Sequence, residues 1–413
     1  MQGRPDGGEY VSVLRVGTAG ESHGPAEVCL LEGVPAGLAL SRADIDIDLA
    51  RRQRGYGRGP RMSIEADQCR FLAGVRLGRT LGTPICIEVE NKDHDSWRAV
   101  MSPDGPADAG GCDDGRVTVP RPGHADLSGL AKYGHVDARN VLERASARET
   151  VARVAGGAVC KRLLNEVGVT VRGRVICIGA AGLDAGADFR DPESIDWATV
   201  EESPVGCDDP RVSARMCDEI DRAREAGESL GGLFEIWCWG LFPGLGGYAR
   251  PQDRLDGRLL GALGSIPAIK GVEIGEGFSN ARRCGSEVHD AITLGTDGRS
   301  TWIDRETNRA GGLEGGMTTG VPVVLRAAMK PIPTLTKPLR SVDVSTMQAT
   351  VAHVERSDIA AVPAARVVGE AMAAITLAAA YLEKFGSDSV GQLVASVASY
   401  ESTLQERGLW RRS

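Results

Sequence analysis

The spacing of apolar residues divides the chain into short predicted strands and helices. Residues 13–33 alternate apolar with small or polar positions around Gly17-Thr-Ala-Gly-Glu-Ser-His-Gly24, which predicts a strand, a glycine-bounded loop and a second strand. Short apolar runs predict further strands at 63–67, 83–90, 169–180, 232–240 and 321–329.

Helical spacing is clearest after Ser41-Arg-Ala-Asp44, which has the sequence of a capping box. Ile45 and Leu49 continue the pattern to about Gln53, before Gly55. Other helices are predicted at 139–166, 210–226, 251–264 and 364–384. The one at 139–166 is rich in alanine and glycine, so we expect it to lie buried between layers, where small residues allow close packing.

Composition adds limits on class and location. A chain of 413 residues with 42% hydrophobic content can bury a large core. It shows no internal repeat and no composition change that would mark a linker. We therefore expect a loose N-terminal extension at 1–12, one large domain at 13–390 and a C-terminal helical tail at 391–413.

The net charge of −8 opposes binding to nucleic acid or to an anionic membrane, so any anionic ligand needs a local cluster of arginines. The ten cysteines show no C-x-x-C spacing, which is typical of small core residues in a reducing compartment. The N-terminus lacks an apolar signal core, and no stretch approaches 18 apolar residues. These features predict a cytoplasmic protein.

The candidate chemistry centres on residues 121–150. Arg121-Pro-Gly-His-Ala-Asp126 carries His124 and Asp126 on a loop, and the predicted helix after it holds Arg144, Ser146 and Arg148 in its first turns. A titratable group, backbone N–H donors and fixed cations in one place suit an anionic ligand.

Two other stretches carry candidate site residues. Arg58 and Arg61 lie in a glycine-rich loop beyond the helix at 42–53, whereas Arg51 and Arg52 could be ordinary cations at a helix end. His23, between a serine and a glycine, is by itself more often a polar turn residue than a functional one. Asp358, before the alanine-rich helix, could equally be an ordinary helix N-terminal acid.

Together these stretches resemble the chorismate synthase family over essentially Arg15 to Asp388. The matching motifs are Gly20-Glu-Ser-His-Gly24, Arg51-Arg-Gln-x-Gly-Tyr-Gly-Arg-Gly59, Arg121-Pro-Gly-His-Ala-Asp126, Glu143-Arg-Ala-Ser-Ala-Arg-Glu-Thr150, Gly271-Val-Glu-Ile-Gly275, Asn308-Arg-Ala-Gly-Gly-x-Glu-Gly-Gly316, Lys330-Pro-Ile-Pro-Thr334 and Arg356-Ser-Asp358.

The resemblance implies an α+β fold, a layered β-α-β sandwich with antiparallel sheets and buried helices, assembled as a homotetramer. It implies a lyase that converts 5-enolpyruvylshikimate 3-phosphate to chorismate and phosphate by anti-1,4-elimination. The family requires reduced FMN without net redox change. NADPH would be the ultimate reductant, and an external flavin reductase would transfer its electrons to FMN.

The resemblance also assigns roles. His23 would protonate or stabilise the leaving phosphate, His124 would lie over the N1/C2 edge of the flavin, and Asp358 would assist proton removal near N5. The substrate would be bound by Arg52, Arg58, Arg61, Arg121, Arg148 and Arg356, of which Arg52 and Arg58 are also associated with NADPH. FMN would contact Arg144, Ala145, Ser146, Pro267, Ala268, Gly316, Lys330, Pro331, Ile332, Pro333, Thr334 and Arg356.

Departures and alternatives remain at this stage. Pro267 stands where the family usually has Gln or Asn, which removes a side-chain contact and a backbone donor, so a paralogue with altered efficiency in specialised metabolism stays open. A metal-dependent hydrolase using His23, His124, Asp126, His289 and Asp290 is a second alternative, although no metal-site spacing supports it. RNA binding through residues 51–61 is a third.

Overall fold

The structure is a computed structural model that describes residues 13–59, 66–104, 116–183, 189–354, 358–386 and 388–412. Its helices are α1 Arg42–Gln53, α2 Asp126–Tyr133, α3 Arg139–Leu142, α4 Thr150–Asn165, α5 Trp197–Glu202, α6 Pro210–Ala226, α7 Leu255–Gly264, α8 Gly277–Asn280, α9 Gly285–Val288, α10 Val362–Phe385 and α11 Val390–Glu406. The strands are β1 Arg15–Ala19, β2 Ala26–Glu32, β3 Cys69–Ala73, β4 Val75–Arg76, β5 Arg79–Thr80, β6 Ile85–Glu90, β7 Thr170–Ile178, β8 Ala181–Gly182, β9 Gly232–Trp239, β10 Pro243–Gly246, β11 Ile269–Ile274, β12 Ile292–Thr296, β13 Thr301–Arg305, β14 Leu313–Glu314, β15 Met317–Thr319, β16 Val323–Met329, β17 Arg340–Asp343 and β18 Gln348–Val351.

Two antiparallel sheets form the outer layers. The first has strand order β1-β2-β6-β3, and the second has order β11-β16-β9-β7-β8. In β6 the apolar positions alternate, and Ile85, Ile87 and Val89 are buried. This two-residue period places one face of the first sheet against the core, as the sequence pattern predicts.

Helices α4 and α10 fill the space between the sheets, and glycines set their spacing. A Cβ added at Gly156 of α4 would lie 2.9 Å from Cys29 Sγ of the first sheet, and one at Gly157 would lie 2.2 Å from the Cβ of Ala371 in α10. A Cβ at Gly369 of α10 would lie 2.7 Å from Phe234 of the second sheet. The predicted β-α-β sandwich is confirmed, and small residues are what allow the layers to approach.

Helix α10 is long and apolar enough to cross a membrane, but 89% of its most apolar window is buried inside the protein. Its length and composition are those of a core helix. The predicted helix at 364–384 corresponds to it.

The single helix predicted at 139–166 is wrong. Helix α3 ends at Leu142, a 3₁₀ turn covers Ala147–Glu149, and α4 begins only at Thr150. The break occurs at Ser146, whose backbone is extended (φ −66°, ψ 148°) and whose hydroxyl accepts a hydrogen bond from the N–H of Arg148. A serine side chain that bonds the backbone locally competes with helix formation.

Two smaller differences concern the same half of the chain. Residues 126–133 form α2, which the apolar pattern did not predict. The strand predicted at 63–67 lies partly outside the described residues, and the observed strand is β3, which pairs with β6 through Cys69 and Val89. Buried and exposed side chains do not alternate along β3, in which only Cys69 is buried.

The two chain ends differ in what can be stated. The extension at 1–12 lies outside the described residues. Helix α11 packs through Leu393, Val397 and Leu404, all buried, and the N–H of Val390 donates to the carbonyl of Ala36 at 3.0 Å. The division into 13–390 and 391–413 stays a prediction.

Candidate active site

A cavity of about 600 Å³ opens where the β1–β2 loop, the turn before α4, the start of α10 and the segment after β16 converge. This volume lies within the range of roughly 300–1,000 Å³ that is usual for small-molecule sites. The sequence-predicted residues that line it are His23, Arg52, Arg58, Arg121, His124, Arg144, Ala145, Ser146, Arg148, Pro267, Ala268, Lys330, Ile332, Pro333, Thr334 and Asp358.

Four predicted residues are placed elsewhere or are not described. Gly316 lies away from the lining, where its carbonyl accepts a hydrogen bond from the N–H of Leu255 at 2.9 Å. Pro331 is also outside the lining, although both its neighbours belong to it. Arg61 and Arg356 fall outside the described residues.

His23 sits on the β1–β2 loop and is held by Glu143, the residue that follows α3. Its ring Nδ1 lies 2.9 and 3.0 Å from the two carboxylate oxygens, and its backbone N–H donates to Glu143 Oε2 at 2.9 Å. Burial raises the pKa of the Glu143 carboxyl, but the hydrogen bond and charge of His23, helped by Arg139, lower it overall. The ionised carboxylate therefore accepts the proton on Nδ1.

An aromatic ring supports the other side of His23. The indole of Trp97 stacks on the imidazole with ring centroids 4.0 Å apart and an angle of 28° between planes. The guanidinium of Arg139 lies 5.1 Å from the centroid of the Trp97 ring. His23 is thus fixed both in its plane and along its Nδ1 edge.

His124 also has a carboxylate partner, Asp126, and the guanidinium of Arg121 lies beside it. Its Nδ1 lies 2.5 Å from Asp126 Oδ1, while Arg121 Nη2 approaches the same ring nitrogen to 3.0 Å. Asp126 also accepts from Arg121 Nε at 2.9 Å. Burial raises the pKa of Asp126, and the hydrogen bonds from His124 and Arg121 outweigh that effect and hold the pKa well below its ordinary value.

Three cavity arginines are positioned by neighbouring carboxylates. Asp67, with a side chain that is 1% exposed, bridges Arg52 Nη2 at 2.9 Å and Arg148 Nη1 at 2.6 Å. Arg58 Nη1 lies 2.8 Å from Asp358 Oδ2, and the N–H of Gly59 donates to Asp358 Oδ1 at 2.7 Å. These three arginines are therefore preorganised, and the carboxylates partly compensate their charges.

Arg52 lines the cavity although most of its side chain is buried. Its Nε is buried and has no hydrogen-bond partner among the described residues. Burial lowers the pKa of its guanidinium; Asp67 opposes this, and the charges of Arg148 and Arg58 add to the lowering. Several guanidinium groups close together beside a cavity suit an oxyanion.

Two further cations, Arg144 and Lys330, connect different segments around the cavity through hydrogen bonds. Arg144 donates to the carbonyl of Thr18 at 3.0 Å and to its hydroxyl at 2.7 Å. Lys330 Nζ donates to the carbonyl of Gly123 at 2.7 Å, and so joins the segment after β16 to the His124 loop. Partial burial, helped by Lys270, lowers the pKa of Lys330.

One wall is apolar and suits a planar ring. It combines Ile266, Pro267 and Met329 with Ala365 and Val368 of α10. Ala268, in the same wall, has φ 68°, a left-handed conformation that is costly for a residue other than glycine and is typical of functional sites. An apolar wall beside several arginines suits a ligand that joins a flat apolar ring system to an anionic group.

Several of these residues were not singled out by sequence reasoning. Glu143 lies inside a matched motif but was given no role, Asp67 fell in a segment predicted as a strand, and Trp97 lay in a connection that could not be placed. Nothing local in the sequence pairs Glu143 with His23, 120 positions apart. Only the fold brings them together.

The metal-dependent hydrolase and RNA-binding alternatives find no support in the structure. Among the described residues no group of three His, Cys, Asp or Glu side chains comes together as a metal site. Asp290 instead accepts hydrogen bonds from the N–H groups of Arg309 at 2.7 Å and Ala310 at 3.0 Å. Of the arginines proposed for RNA, Arg51 pairs with Glu370 at 2.6 Å and Arg52 with Asp67 at 2.9 Å.

Comparisons with known proteins agree on one family. The sequence profile of the family described as chorismate synthase matches residues 14–382. A chorismate synthase of Desulforudis audaxviator is 54% identical over 391 residues, 94% of this chain and 97% of the relative. One from Rubrobacter xylanophilus is 53% identical over 395 residues, 95% of this chain and 97% of the relative. A crystal structure of a chorismate synthase superposes with a TM-score of 0.77 at 40% identity and covers 95% of this chain and 98% of its own.

Proposed function

The chain belongs to the chorismate synthase family of lyases in aromatic amino-acid biosynthesis, and we propose that its cavity eliminates phosphate from 5-enolpyruvylshikimate 3-phosphate to give chorismate. The observation that carries this proposal is the convergence of His23, His124 and Asp358 on one arginine-lined cavity. These three residues come from separate parts of the chain. Their convergence supports a single reaction site.

The arginines bind the anionic substrate in this proposal. Arg52 and Arg148 line the cavity and are held in fixed positions by Asp67, so they can bind the substrate carboxylates and phosphate without a large ordering cost. Arg58 and Arg121 extend the same cationic surface. Arg61 and Arg356 are assigned to it from the family motifs.

His23 supplies the proton for the leaving phosphate. Since Glu143 occupies Nδ1, the proton that passes to the ligand must come from Nε2. Asp358, held by Arg58 and by the N–H of Gly59, is an acceptor for the proton that the substrate loses at C6. The two proton transfers are thus assigned to different residues, since His23 donates a proton and Asp358 accepts one.

Reduced FMN is the cofactor that the cavity fits best. The apolar wall of Ile266, Pro267 and Met329 would face its ring system, and Arg144, Ser146 and the Lys330–Thr334 segment would hold its polar groups. When bound, reduced FMN would supply electron density that helps the allylic phosphate to leave. His124, fixed by Asp126, would lie at the polar edge of the flavin.

Finer assignments follow from the family. NADPH would associate with Arg52 and Arg58, an external reductase would supply the reduced flavin, and the protein would act as a cytoplasmic homotetramer. Pro267 lines the cavity and would lower flavin affinity relative to family members with a polar side chain there.

The decisive experiment is an anaerobic incubation of the purified protein with 5-enolpyruvylshikimate 3-phosphate and photoreduced FMN. Chorismate absorbance should appear together with one phosphate per chorismate. The control omits light, so the flavin stays oxidised and no product forms. Full reduction of the flavin without chorismate formation would reject the proposed reaction.

A second incubation tests the source of electrons. The protein should be inactive with NADPH and oxidised FMN under anaerobic conditions, because no G-x-G-x-x-G loop follows a predicted strand in its sequence. Adding a flavin reductase should restore turnover. Turnover without the reductase would show that the chain reduces its own flavin.

A further inference from the structure

Glu143 forms hydrogen bonds with the loop that carries His23 at three points. Its backbone carbonyl accepts the N–H of Ser22 at 3.0 Å, and its carboxylate accepts both the backbone N–H and the ring Nδ1 of His23. The carboxylate is 2% exposed and also receives Arg139 Nη1 at 3.2 Å. A buried carboxylate with this arrangement fixes both the position and the rotation of the imidazole.

The contact also decides which ring nitrogen can act on a ligand. The ionised carboxylate can only accept, so Nδ1 must keep its proton, and the neutral imidazole is the Nδ1–H tautomer. Nε2 is then the nitrogen that exchanges a proton with a ligand in the cavity. If the ring is protonated, the same carboxylate balances its positive charge.

We propose that Glu143 is the positioning residue of His23, which holds the imidazole in the tautomer and orientation needed for proton transfer to the departing phosphate. This inference rests on the proposed function of His23. In the step, His23 begins protonated on both ring nitrogens, the C3–O bond breaks with its electron pair on the phosphate oxygen, and His23 passes its Nε2 proton to that phosphate. The C6 proton passes to Asp358, and the electron pair of the broken C6–H bond completes the ring diene. His23 ends neutral with the proton on Nδ1, and Glu143 stays ionised throughout.

A purely structural ion pair would have the same geometry. The test therefore varies the charge at position 143, the length of its side chain and its coupling to His23. Glu143→Gln keeps an acceptor and the side-chain volume but removes the charge, whereas Glu143→Asp keeps the charge and shortens the reach. The matched control is Glu166→Gln, which breaks the partly exposed pair that Glu166, just after α4, forms with Arg162 at 2.6 Å.

The kinetic measurement uses anaerobic turnover with photoreduced FMN. Glu143→Gln should lower kcat by about 10²-fold with little change in the KM for the substrate, because it alters the reacting histidine and not the arginines. Glu143→Asp should recover part of the loss, and Glu166→Gln should match wild type. The double variant His23→Ala with Glu143→Gln should be no slower than His23→Ala alone, since Glu143 acts through His23.

The spectroscopic measurement needs no substrate or flavin. In protein labelled with ¹⁵N-histidine, the neutral ring of His23, assigned by its loss in His23→Ala, should carry its proton on Nδ1. In Glu143→Gln a population protonated on Nε2 should appear, because an amide is a weaker acceptor than a carboxylate.

The outcomes separate this inference from the proposed function. Wild-type turnover in Glu143→Gln beside a strong loss in His23→Ala would overturn the positioning role alone. A double variant ten times slower than His23→Ala, or a wild-type ring protonated on Nε2, would also overturn it. Wild-type turnover in His23→Ala would instead reject the role of His23, and the present inference with it.

Discussion

Arg51 and Arg52 are neighbours in α1 and have opposite surroundings. Arg51 belongs to a buried network in which it bonds Asp48 at 2.7 Å, Glu201 at 2.7 Å and Glu370 at 2.6 Å. Arg52 lines the cavity and pairs with one carboxylate, Asp67. The full buried network consists of Asp48, Arg51, Lys161, Glu201, Arg366 and Glu370.

The difference lies in what compensates the charges. The buried network holds three cations and three carboxylates, and Glu370, fully buried, receives both Arg51 and Lys161. In the cavity, Asp67 holds Arg52 and Arg148 from outside the lining, and Asp358 shares the lining with Arg58. Breaking an internally matched set of buried charges is costly, whereas arginines that line a cavity are placed to bind an anion.

The strongest test of this comparison is removal of the titratable groups of the cavity. His23→Ala and His124→Ala should each lower turnover by roughly 10²–10⁴-fold, because each removes a group proposed to act on protons or on the flavin edge. The melting temperature should stay near that of the wild type. Wild-type turnover in both variants would remove the chemical role from the cavity histidines.

The matching test of the buried network is Glu370→Gln. It leaves Arg51 and Lys161 without their shared buried carboxylate, and we expect the free energy of unfolding to fall by about 3–5 kcal/mol. Urea denaturation measures this change, with Glu166→Gln as a surface control expected to cost less than about 1 kcal/mol. Turnover per folded molecule should be unaffected, and a loss of kcat with full stability would contradict the division between the two regions.

The adjacent arginines give the sharpest comparison within one helix. Arg52→Met should raise the KM for the substrate by about 10- to 100-fold, as expected for loss of a charge-assisted hydrogen bond worth about 1.5–3 kcal/mol. Arg51→Met should lower the melting temperature and leave the KM of the remaining folded protein unchanged. Equal effects of the two variants on KM would mean that the buried network also serves the ligand.

The smallest expected effect concerns Glu27, which lies behind the cavity. Its Oε2 is 3.5 Å from Arg144 Nη1, and Oε1 is buried without a hydrogen-bond partner among the described residues. Burial raises the pKa of this carboxyl to about 7 from 4.5, although Arg144 and Arg148 oppose the rise. Because the pKa is raised on folding, stability is fully present below the unfolded value and is lost as the pH increases towards about 7.

The corresponding measurement compares unfolding free energies at pH 5 and pH 7. Glu27→Gln cannot ionise and should remove a decrease on the order of 1 kcal/mol between these pH values. Identical pH profiles for the variant and the wild type would show that Glu27 is already compensated in the fold.

Part of the fold could be predicted because it depends on neighbouring residues. In α1 the N–H of Ser41 donates to Asp44 at 2.7 Å, which is the local contact that the capping box predicts. Helix α6 ends at Gly227 with φ 74°, as expected for a glycine at a helix C-terminus. The break at Ser146 could not be predicted, because it depends partly on the contact of its hydroxyl with Ser22 at 3.1 Å, 124 positions earlier.

The sequence by itself determined the alternation of strands and helices, the family and the residue types that the chemistry needs, since periodicity, caps and motifs are written over short stretches of chain. Only the tertiary structure decided that Arg52 lines the cavity whereas Arg51 forms an ion pair with Glu370. It also decided that Glu143 and Asp67 hold residues far from them in sequence. The physical reason is that a charge is defined by its partners in space. Those partners come from strands and helices that meet only once the sheets have packed on α4 and α10.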